Sequence, residues 1–102
     1  MTAPLELSTR RNDDGTTVLT AAGEIDMSNA ARFGAALTEA AAAAQAGAGF
    51  IVDLTAVSYL DSAGLTALLP HASRIRITAS EVLAPVLAVT GLEPVTTVVP
   101  AP

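Results

Sequence analysis

The run Phe50-Ile51-Val52-Asp53-Leu54 constrains the fold of this chain more than any other stretch. It is apolar except at Asp53, and a continuous apolar run is typical of a parallel strand covered on both faces. Asp53 stands near the carboxyl end of this strand, where ligand and metal sites are common in open α/β sheets. A lone carboxylate there more often accepts hydrogen bonds from nearby backbone N–H groups, and we prefer that structural role.

Before this run the sequence predicts a β-hairpin. Residues 5–10 alternate between apolar and polar side chains, Asn12-Asp13-Asp14-Gly15 is a strong turn, and residues 16–22 read as the returning strand. We expect the two strands to pair antiparallel. The stretch Gly23-Glu24-Ile25-Asp26 then breaks the second strand.

A helix pattern follows over about residues 29–45, with Asp26 or Ser28 as alternative N-caps and Gly47 and Gly49 as the stop. Its buried stripe is predicted to consist of Phe33, Leu37, Ala40, Ala41 and Ala44. Alanine is the best helix former, so the alanine-rich run is interpreted as a packed helix rather than as low complexity.

A second helix is predicted after a loop that begins at about Val57 and includes Ser58, and Asp61 and Ser62 are both good N-cap residues for it. Its apolar positions at helical spacing are Leu65, Leu68 and Leu69. Pro70 should end or kink this helix, which leaves about two turns. We place His71, the residue after Pro70, in a surface loop.

The last third predicts a strand over 74–78, a helix and a short edge strand over 95–99. Arg74 and Arg76 fall on one face of the first of these strands, which we interpret as solvated. Ser80 or Glu81 should open the helix, although Pro85 requires a late or irregular start. The inward residues of this helix are predicted to be Leu83, Val86 and Leu87, with Gly91 as the stop.

The resulting order, β-β-α-β-α-β-α-(β), predicts one α/β domain over residues 1–102 with a mixed sheet of four to five strands. The net charge of −5 without a basic cluster, and only three aromatic residues, argue against nucleic-acid binding. No apolar run approaches the ~20 residues that span a bilayer, and the first residues lack a secretory signal. With no cysteine and one histidine, we expect no metal site, no cofactor and a cytoplasmic location.

Enzymatic motifs are absent from the sequence. There is no Gly-x-Gly-x-x-Gly or Walker pattern, and Leu60-Asp61-Ser62-Ala63-Gly64 lacks the first glycine of a nucleophile elbow. Glu24 and Asp26 could form an acid pair, but a capping turn explains them better. We therefore expect no catalytic residue and no enzyme. From the local sequence Ser62 is either a helix cap or a hydroxyl that receives phosphate, and the cap is the commoner role.

Four blocks of the sequence resemble, in order, the blocks of the STAS domain. They are Gly23-Glu24-Ile25-Asp26, Ile51-Val52-Asp53-Leu54-Thr55-Ala56-Val57, Leu60-Asp61-Ser62-Ala63-Gly64-Leu65 and Val89-Thr90-Gly91-Leu92. More narrowly, the chain resembles bacterial anti-sigma factor antagonists. The resemblance covers nearly the whole chain and implies the STAS fold, with about three helices on the sheet.

The resemblance also implies a partner-switching function. In that family an anti-sigma factor, which is a serine kinase, phosphorylates the serine of the Asp-Ser block, and a PP2C-type phosphatase resets it. ATP and magnesium would be bound by the kinase. Carried onto this chain, the acceptor is Ser62, with Ser58 and Thr66 as fallback acceptors. The implied partner surface consists of Glu24, Asp26, Ser58, Asp61, Ser62, Ala63, Gly64 and Thr66.

Two alternatives stay open at this point. A STAS domain can also act as a non-phosphorylated accessory subunit, for instance of a lipid-transport ATPase, and a small nucleotide-binding module has little support. The segment from Pro70 to Arg74 is shorter than is usual in the family, and position 63 is alanine where a second serine is common. We expect no direct membrane contact, and a homodimer is left open.

Overall fold

The computed structural model describes residues 4–45, 48–92 and 95–98. The elements are β1 (Glu6–Arg11), β2 (Thr17–Ile25), α1 (Ala30–Ala43), β3 (Phe50–Leu60), α2 (Ser62–Leu68), a 3-10 turn (Leu69–His71), β4 (Ile75–Ser80), α3 (Ala84–Val89) and β5 (Val95–Val98). This order confirms the predicted one, including the last strand. Residues 47 and 99, which the sequence assigned to a helix stop and to the end of that strand, lie outside the described residues.

The strands form one sheet in the order β1-β2-β3-β4-β5, in which β1 and β2 are antiparallel and the other neighbours are parallel. Each crossover moves one position in the same direction, so right-handed connections put all three helices on one face. The core confirms this arrangement, because Phe33, Leu68 and Leu87 from the three helices belong to one buried cluster with Val52 of β3.

Among the described residues, no helix lies on the opposite face of the sheet. Along β3, Phe50, Val52 and Leu54 are buried, whereas Ile51 and Asp53 are only half-buried. The expectation that this strand is covered on both faces is therefore wrong. The strand is nevertheless parallel to both of its neighbours, as predicted.

Both central strands run further than the sequence predicted. In β2, Gly23 has φ +103°, and a register shift lies between Gly23 and Glu24 because Ser58 is an extra residue in the partner strand β3. The strand continues past this point to Ile25 instead of breaking. β3 continues to Leu60 rather than ending at Leu54. Residues 57–60, and Ser58 among them, therefore lie in a strand and not in the predicted loop.

Helix α1 packs through Phe33, Leu37 and Ala40, which are buried, whereas Ala41 and Ala44 are half-buried. Two arginines bind the carbonyl oxygens at its C-terminal end. The Arg74 guanidinium donates to Ala41 O and Ala48 O, and Arg11 donates to Ala43 O. Such cations are favourable near the negative end of the helix dipole. Arg74 is thus not on a solvated strand face as predicted.

The region around Pro70 differs from the prediction at two residues. Pro70 ends α2 in a 3-10 turn, as expected, but Leu69 is exposed rather than buried. His71 is half-buried and packs against Phe50 in a T-shaped ring contact with a centroid distance of 6.1 Å, so it is not a free surface residue.

Helix α3 begins at Ala84 and not at Ser80 or Glu81, because Pro85 is accommodated only in the first turn. Leu83 and Leu87 are buried as predicted, whereas Val86 is exposed. Within the described ranges, no helix is long and apolar enough to cross a membrane.

Candidate functional site

The predicted site lies where β2 and β3 end side by side. We call this end of the sheet, at which strands β2, β3 and β4 terminate, the carboxyl edge. Ile25 and Leu60, the last residues of the two strands, are register partners. The backbone N–H of Asp61 donates to the Ile25 carbonyl oxygen at 3.2 Å. The turn that begins at Asp26 and the start of α2 are thus held next to each other.

Asp61, not Ser62, is the N-cap of α2. Its backbone is extended, with φ −96° and ψ −173°, and its Oδ1 accepts hydrogen bonds from the backbone N–H groups of Ala63 at 2.9 Å and Gly64 at 3.2 Å. The prediction left both residues open as caps, and the carboxylate has taken that role. Ser62 is consequently the first residue of the helix, and its side chain is not used in capping.

Gly64 allows the helix to approach the sheet closely. It is buried, and a Cβ atom at this position would collide with Leu60 Cδ1 and lie 2.9 Å from Ile25 Cγ2. A side chain here would push α2 away from the ends of both strands. Gly64 therefore contributes to the site by positioning Asp61 and Ser62 and not by an exposed contact of its own.

The three candidate hydroxyl groups differ in how they are bound. Thr66 Oγ1 donates to the Ser62 carbonyl oxygen at 2.8 Å, and Ser58 Oγ donates to the Gly23 carbonyl oxygen at 3.3 Å. Both side chains are exposed. Ser62 is also exposed, and within the part of the chain that the structure describes its hydroxyl has no hydrogen-bond partner. Among the described residues, Ser62 is therefore the one of the three whose hydroxyl makes no hydrogen bond.

The Asp26 turn is built differently from the predicted N-cap. Asp26 Oδ1 accepts from the backbone N–H and the hydroxyl of Ser28, and these hydrogen bonds lower the pKa of Asp26. Asn29 occupies the N-cap position of α1, but its side chain bonds back to Asp26 N and Glu24 O. Sequence reasoning missed Asn29, although asparagine is a favoured N-cap residue.

Three exposed apolar side chains near the ends of the parallel strands were also missed. Met27 is 84% exposed after β2, Tyr59 is 50% exposed in β3, and Val82 is 75% exposed after β4. No periodic pattern marks them, because each lies in a turn or at a bulged strand end. Single exposed apolar side chains are normal on protein surfaces, so these three residues do not by themselves mark a binding surface.

Charge is unevenly distributed between the two ends of the sheet. The carboxylates near the carboxyl edge are those of Glu24, Asp26, Asp61 and Glu81. At the opposite end, where β2 and β4 begin, lie Arg10, Arg11, Arg74 and Arg76. Asp13 and Asp14, in the turn between β1 and β2, also lie at that end, and Arg32, in the first turn of α1, lies near the carboxyl edge, where it donates to the Leu5 carbonyl oxygen. Carboxylates nevertheless outnumber cations at the carboxyl edge among the described residues, so this edge carries an excess of negative charge.

Asp53 has the structural role that we preferred. Its Oδ1 accepts from the backbone N–H of Thr55 at 2.9 Å and from the Thr55 hydroxyl at 2.6 Å, next to the first register shift of β3. Among the described residues, no group of three or more histidine or acidic side chains is arranged to hold a metal ion.

Comparison with known proteins supports the fold and its family. The family described as "Mlab, STAS domain" matches residues 8–97. The chain belongs to the STAS domain family. No curated protein matches the sequence significantly.

Three solved structures illustrate the likeness. An anti-sigma factor antagonist from Mycobacterium paratuberculosis is 25% identical with a TM-score of 0.79, and the match covers 94% of this chain and 90% of that one. The anti-sigma factor antagonist SpoIIAA in its unphosphorylated form is 18% identical with a TM-score of 0.68, over 94% and 89% of the two chains. An uncharacterised Shewanella loihica protein with a SpoIIAA-like fold is 15% identical with a TM-score of 0.61, over 98% and 88%.

Proposed function

We propose that this protein is an anti-sigma factor antagonist whose activity is switched by phosphorylation of Ser62. In the unphosphorylated form it binds an anti-sigma factor that is also a serine kinase, and this binding releases a sigma factor. Phosphorylation by the kinase ends the interaction, and a PP2C-type phosphatase restores it. The names of two similar structures, both anti-sigma factor antagonists, agree with this assignment.

The observation that carries the proposal is the state of the Ser62 hydroxyl. It is exposed and unbonded among the described residues, at the first position of α2, whereas the hydroxyls of Ser58 and Thr66 each donate to a backbone carbonyl. A hydroxyl that makes no hydrogen bond within its own domain can enter a kinase active site without the loss of an existing hydrogen bond. Ser62 meets this condition best.

The surroundings of Ser62 favour a direct block of binding over a change of fold. A phosphoryl group adds about −1.5 to −2 charges at pH 7. The N–H groups of Ala63 and Gly64 already bind Asp61, so the phosphate has no need to rearrange the helix start and extends outward. A docked partner would have to desolvate this charge beside the carboxylates of the carboxyl edge, which is unfavourable.

The first experiment identifies the acceptor. The protein is incubated with candidate anti-sigma factor kinases and Mg-ATP, and the intact mass is measured. We expect a gain of one phosphate that maps to Ser62 and is lost in Ser62→Ala, while Ser58→Ala and Thr66→Ala still gain it. A phosphate that maps to Ser58 or Thr66 would contradict the assignment.

The second experiment tests the switch with the kinase found in this way. We expect Ser62→Ala to bind it as the unmodified protein does, and Ser62→Asp to bind much more weakly. Both variants should retain the amide NMR spectrum of the wild type outside the neighbourhood of α2. If Ser62→Asp binds as tightly as Ser62→Ala, phosphorylation is not the switch.

A second candidate function is a non-phosphorylated accessory subunit, for instance of a transporter ATPase. The description of the matched family, "Mlab, STAS domain", does not mention sigma factor regulation, so it is compatible with the accessory function as well. Co-purification with an ATPase and an unmodified Ser62 would support it. A nucleotide-binding module is less suitable, because the sequential strand order lacks the switch point at which open α/β sheets bind such ligands.

A further inference from the structure

The two neighbours of β3 do not cover the same length of it. β3 has 11 residues, but its pairing with β4 extends only from Phe50 to Leu54. From Ala56 to Leu60 it pairs with β2 alone, and none of the other backbone hydrogen bonds in the described ranges involves residues 55–60. The side of β3 that faces away from β2 is therefore an unpaired strand edge over residues 56–60, which we call the β3 edge. The N–H of Thr55, just before it, already donates to Asp53 Oδ1.

A groove runs along the β3 edge on the side of β4. It is lined by Thr55, Ala56, Val57, Ser58, Ser80 and Val82. These side chains are small or β-branched, and Ala56, Ser58 and Val82 are exposed. Small side chains leave the backbone of the strand accessible, and lysine or proline, which commonly protect an edge, are absent from this lining.

The chemistry of the groove defines what fits it. Unpaired backbone N–H and C=O groups are satisfied by another extended backbone, as in β-strand addition. The apolar part, formed by Ala56, Val57 and Val82, suits an apolar side chain of the added strand. Glu81, between Ser80 and Val82, adds negative charge, and so do the other carboxylates of the carboxyl edge. The occupant should therefore combine apolar and basic residues.

From these observations we propose that the β3 edge binds a short extended segment of the anti-sigma factor, with an apolar centre and basic flanks, as an added strand. The inference rests on the proposed function, because it takes the partner from it, and it assigns a second contact beside Ser62. The register shift at Ser58 bends the strand and keeps the added segment short. The partner would thus bind backbone groups that phosphorylation leaves unchanged.

This arrangement divides the two tasks of the surface. The β3 edge supplies partner binding through hydrogen bonds that do not depend on Ser62. The hydroxyl of Ser62, at the start of the following helix, supplies the switch. A partner strand on the β3 edge would lie against the same carboxyl edge at which the phosphate is added. Phosphorylation would oppose its docking through the bulk of the phosphate and the cost of desolvating it, without unfolding the domain.

The test uses the full-length chain, ¹⁵N-labelled and carrying Ser62→Ala, in complex with the kinase that phosphorylates the wild type. We expect slower amide hydrogen exchange within residues 55–60 on binding, and intermolecular NOEs between backbone protons of the partner and this edge. Ala56→Lys and Val82→Lys should weaken binding by about tenfold or more, because a lysine in the groove opposes an added strand. Val89→Lys is the control, since Val89 is 88% exposed and outside the groove.

Distinct results would overturn the proposal. A complex in which exchange at residues 55–60 is unchanged, or in which the groove variants bind like Val89→Lys, excludes strand addition while the Ser62 switch stands. If amide exchange at residues 55–60 slows as the concentration of this chain rises, in the absence of the kinase, a second copy of the chain occupies the groove. If none of the anti-sigma factor kinases binds this chain, both the proposed function and this inference are overturned.

Discussion

The backbone N–H of Asp61 donates to the carbonyl oxygen of Ile25 at 3.2 Å, and this bond joins the end of β2 to the start of α2. The Asp61 carboxylate, in turn, accepts from the first turn of the helix. One residue thus connects the sheet, the helix and, through its neighbour, the candidate acceptor hydroxyl. Changes at Asp61 should affect stability and the orientation of Ser62 together.

Replacement of Asp61 by alanine removes the cap and leaves the N–H groups of Ala63 and Gly64 without their acceptor. We expect Asp61→Ala to lower the free energy of unfolding by about 0.5–2 kcal/mol, measured by urea denaturation. Asp61→Asn retains an oxygen acceptor and should recover most of this loss. Equal losses in the two variants would mean that the negative charge, rather than the cap, stabilises this end of the helix.

Gly64 and Gly34 provide a matched pair of glycine-to-alanine substitutions. At Gly64 the added methyl group meets Leu60 and Ile25, so we expect Gly64→Ala to destabilise the fold by about 1–3 kcal/mol. At Gly34, inside α1, the nearest atom to an added methyl is Ala67 Cβ at 3.9 Å. Gly34→Ala should therefore stabilise the protein by about 0.5–1 kcal/mol.

Urea denaturation of the two glycine variants, together with binding of the anti-sigma factor kinase, checks this prediction. Gly64→Ala should also weaken binding, since α2 is displaced, whereas Gly34→Ala should bind normally. A Gly64→Ala variant as stable as the wild type would show that α2 can move without cost.

The element order was predictable from sequence because it depends on local patterns. The apolar run at residues 50–54, the Asn-Asp-Asp-Gly turn and the position of Pro70 each act over a few residues. The strand ends were not predictable, because they depend on pairing. Residues 55–60 alternate poorly, yet they extend β3 since β2 lies beside them and two bulges absorb the irregular spacing.

The candidate site was predicted in part for the same reason. The Asp-Ser-Ala-Gly block predicts Ser62 as the acceptor, but the sequence does not show whether Asp61 or Ser62 is the helix cap. That choice is made by the orientation of each side chain relative to the first turn. Two further features arise only from tertiary structure. They are the exposure of Met27, Tyr59 and Val82, and the end of the pairing between β3 and β4 at Leu54.

Arg74 illustrates a side chain whose role is long-range. Its guanidinium donates to Ala41 O at 3.3 Å and Ala48 O at 2.9 Å and lies 5.9 Å from the centre of the Phe50 ring. We expect Arg74→Ala to lower the free energy of unfolding by about 1.5–3 kcal/mol, because charged hydrogen bonds and a cation–π contact are lost. Exposed Arg76 is the control, and its alanine variant should change stability by no more than about 0.5 kcal/mol.

The Arg74 prediction is checked by thermal and urea unfolding of both arginine variants. Arg74→Lys should recover only part of the loss, since a lysine cannot present two N–H donors in the same fixed plane. Similar stabilities of the Arg74→Ala and Arg76→Ala variants would contradict the assigned role.

The pKa of Asp26 gives a pH-dependent prediction for the turn beside Ser62. This pKa is lowered below its ordinary value of 3.8 by two hydrogen bonds to the carboxylate. The one from the Ser28 hydroxyl has the larger effect, and the other comes from the Ser28 backbone N–H. A carboxyl with a lowered folded-state pKa adds stability above its unfolded-state pKa, and this contribution is lost as the pH falls through the folded-state pKa. Ser28→Ala removes the hydroxyl donor, so we expect the pKa of Asp26 to rise toward 3.8.

NMR titration of the Asp26 carboxyl carbon in the wild type and in Ser28→Ala measures this rise directly. Asp14 is an internal control, because its pKa is lowered mainly by the backbone N–H of Thr16, which Ser28→Ala leaves intact. The dependence of stability on pH below 3.8 should become weaker in the variant. An Asp26 titration unchanged by Ser28→Ala would mean that the backbone N–H groups alone hold the turn, and that the Ser28 hydroxyl is free for another use at this edge.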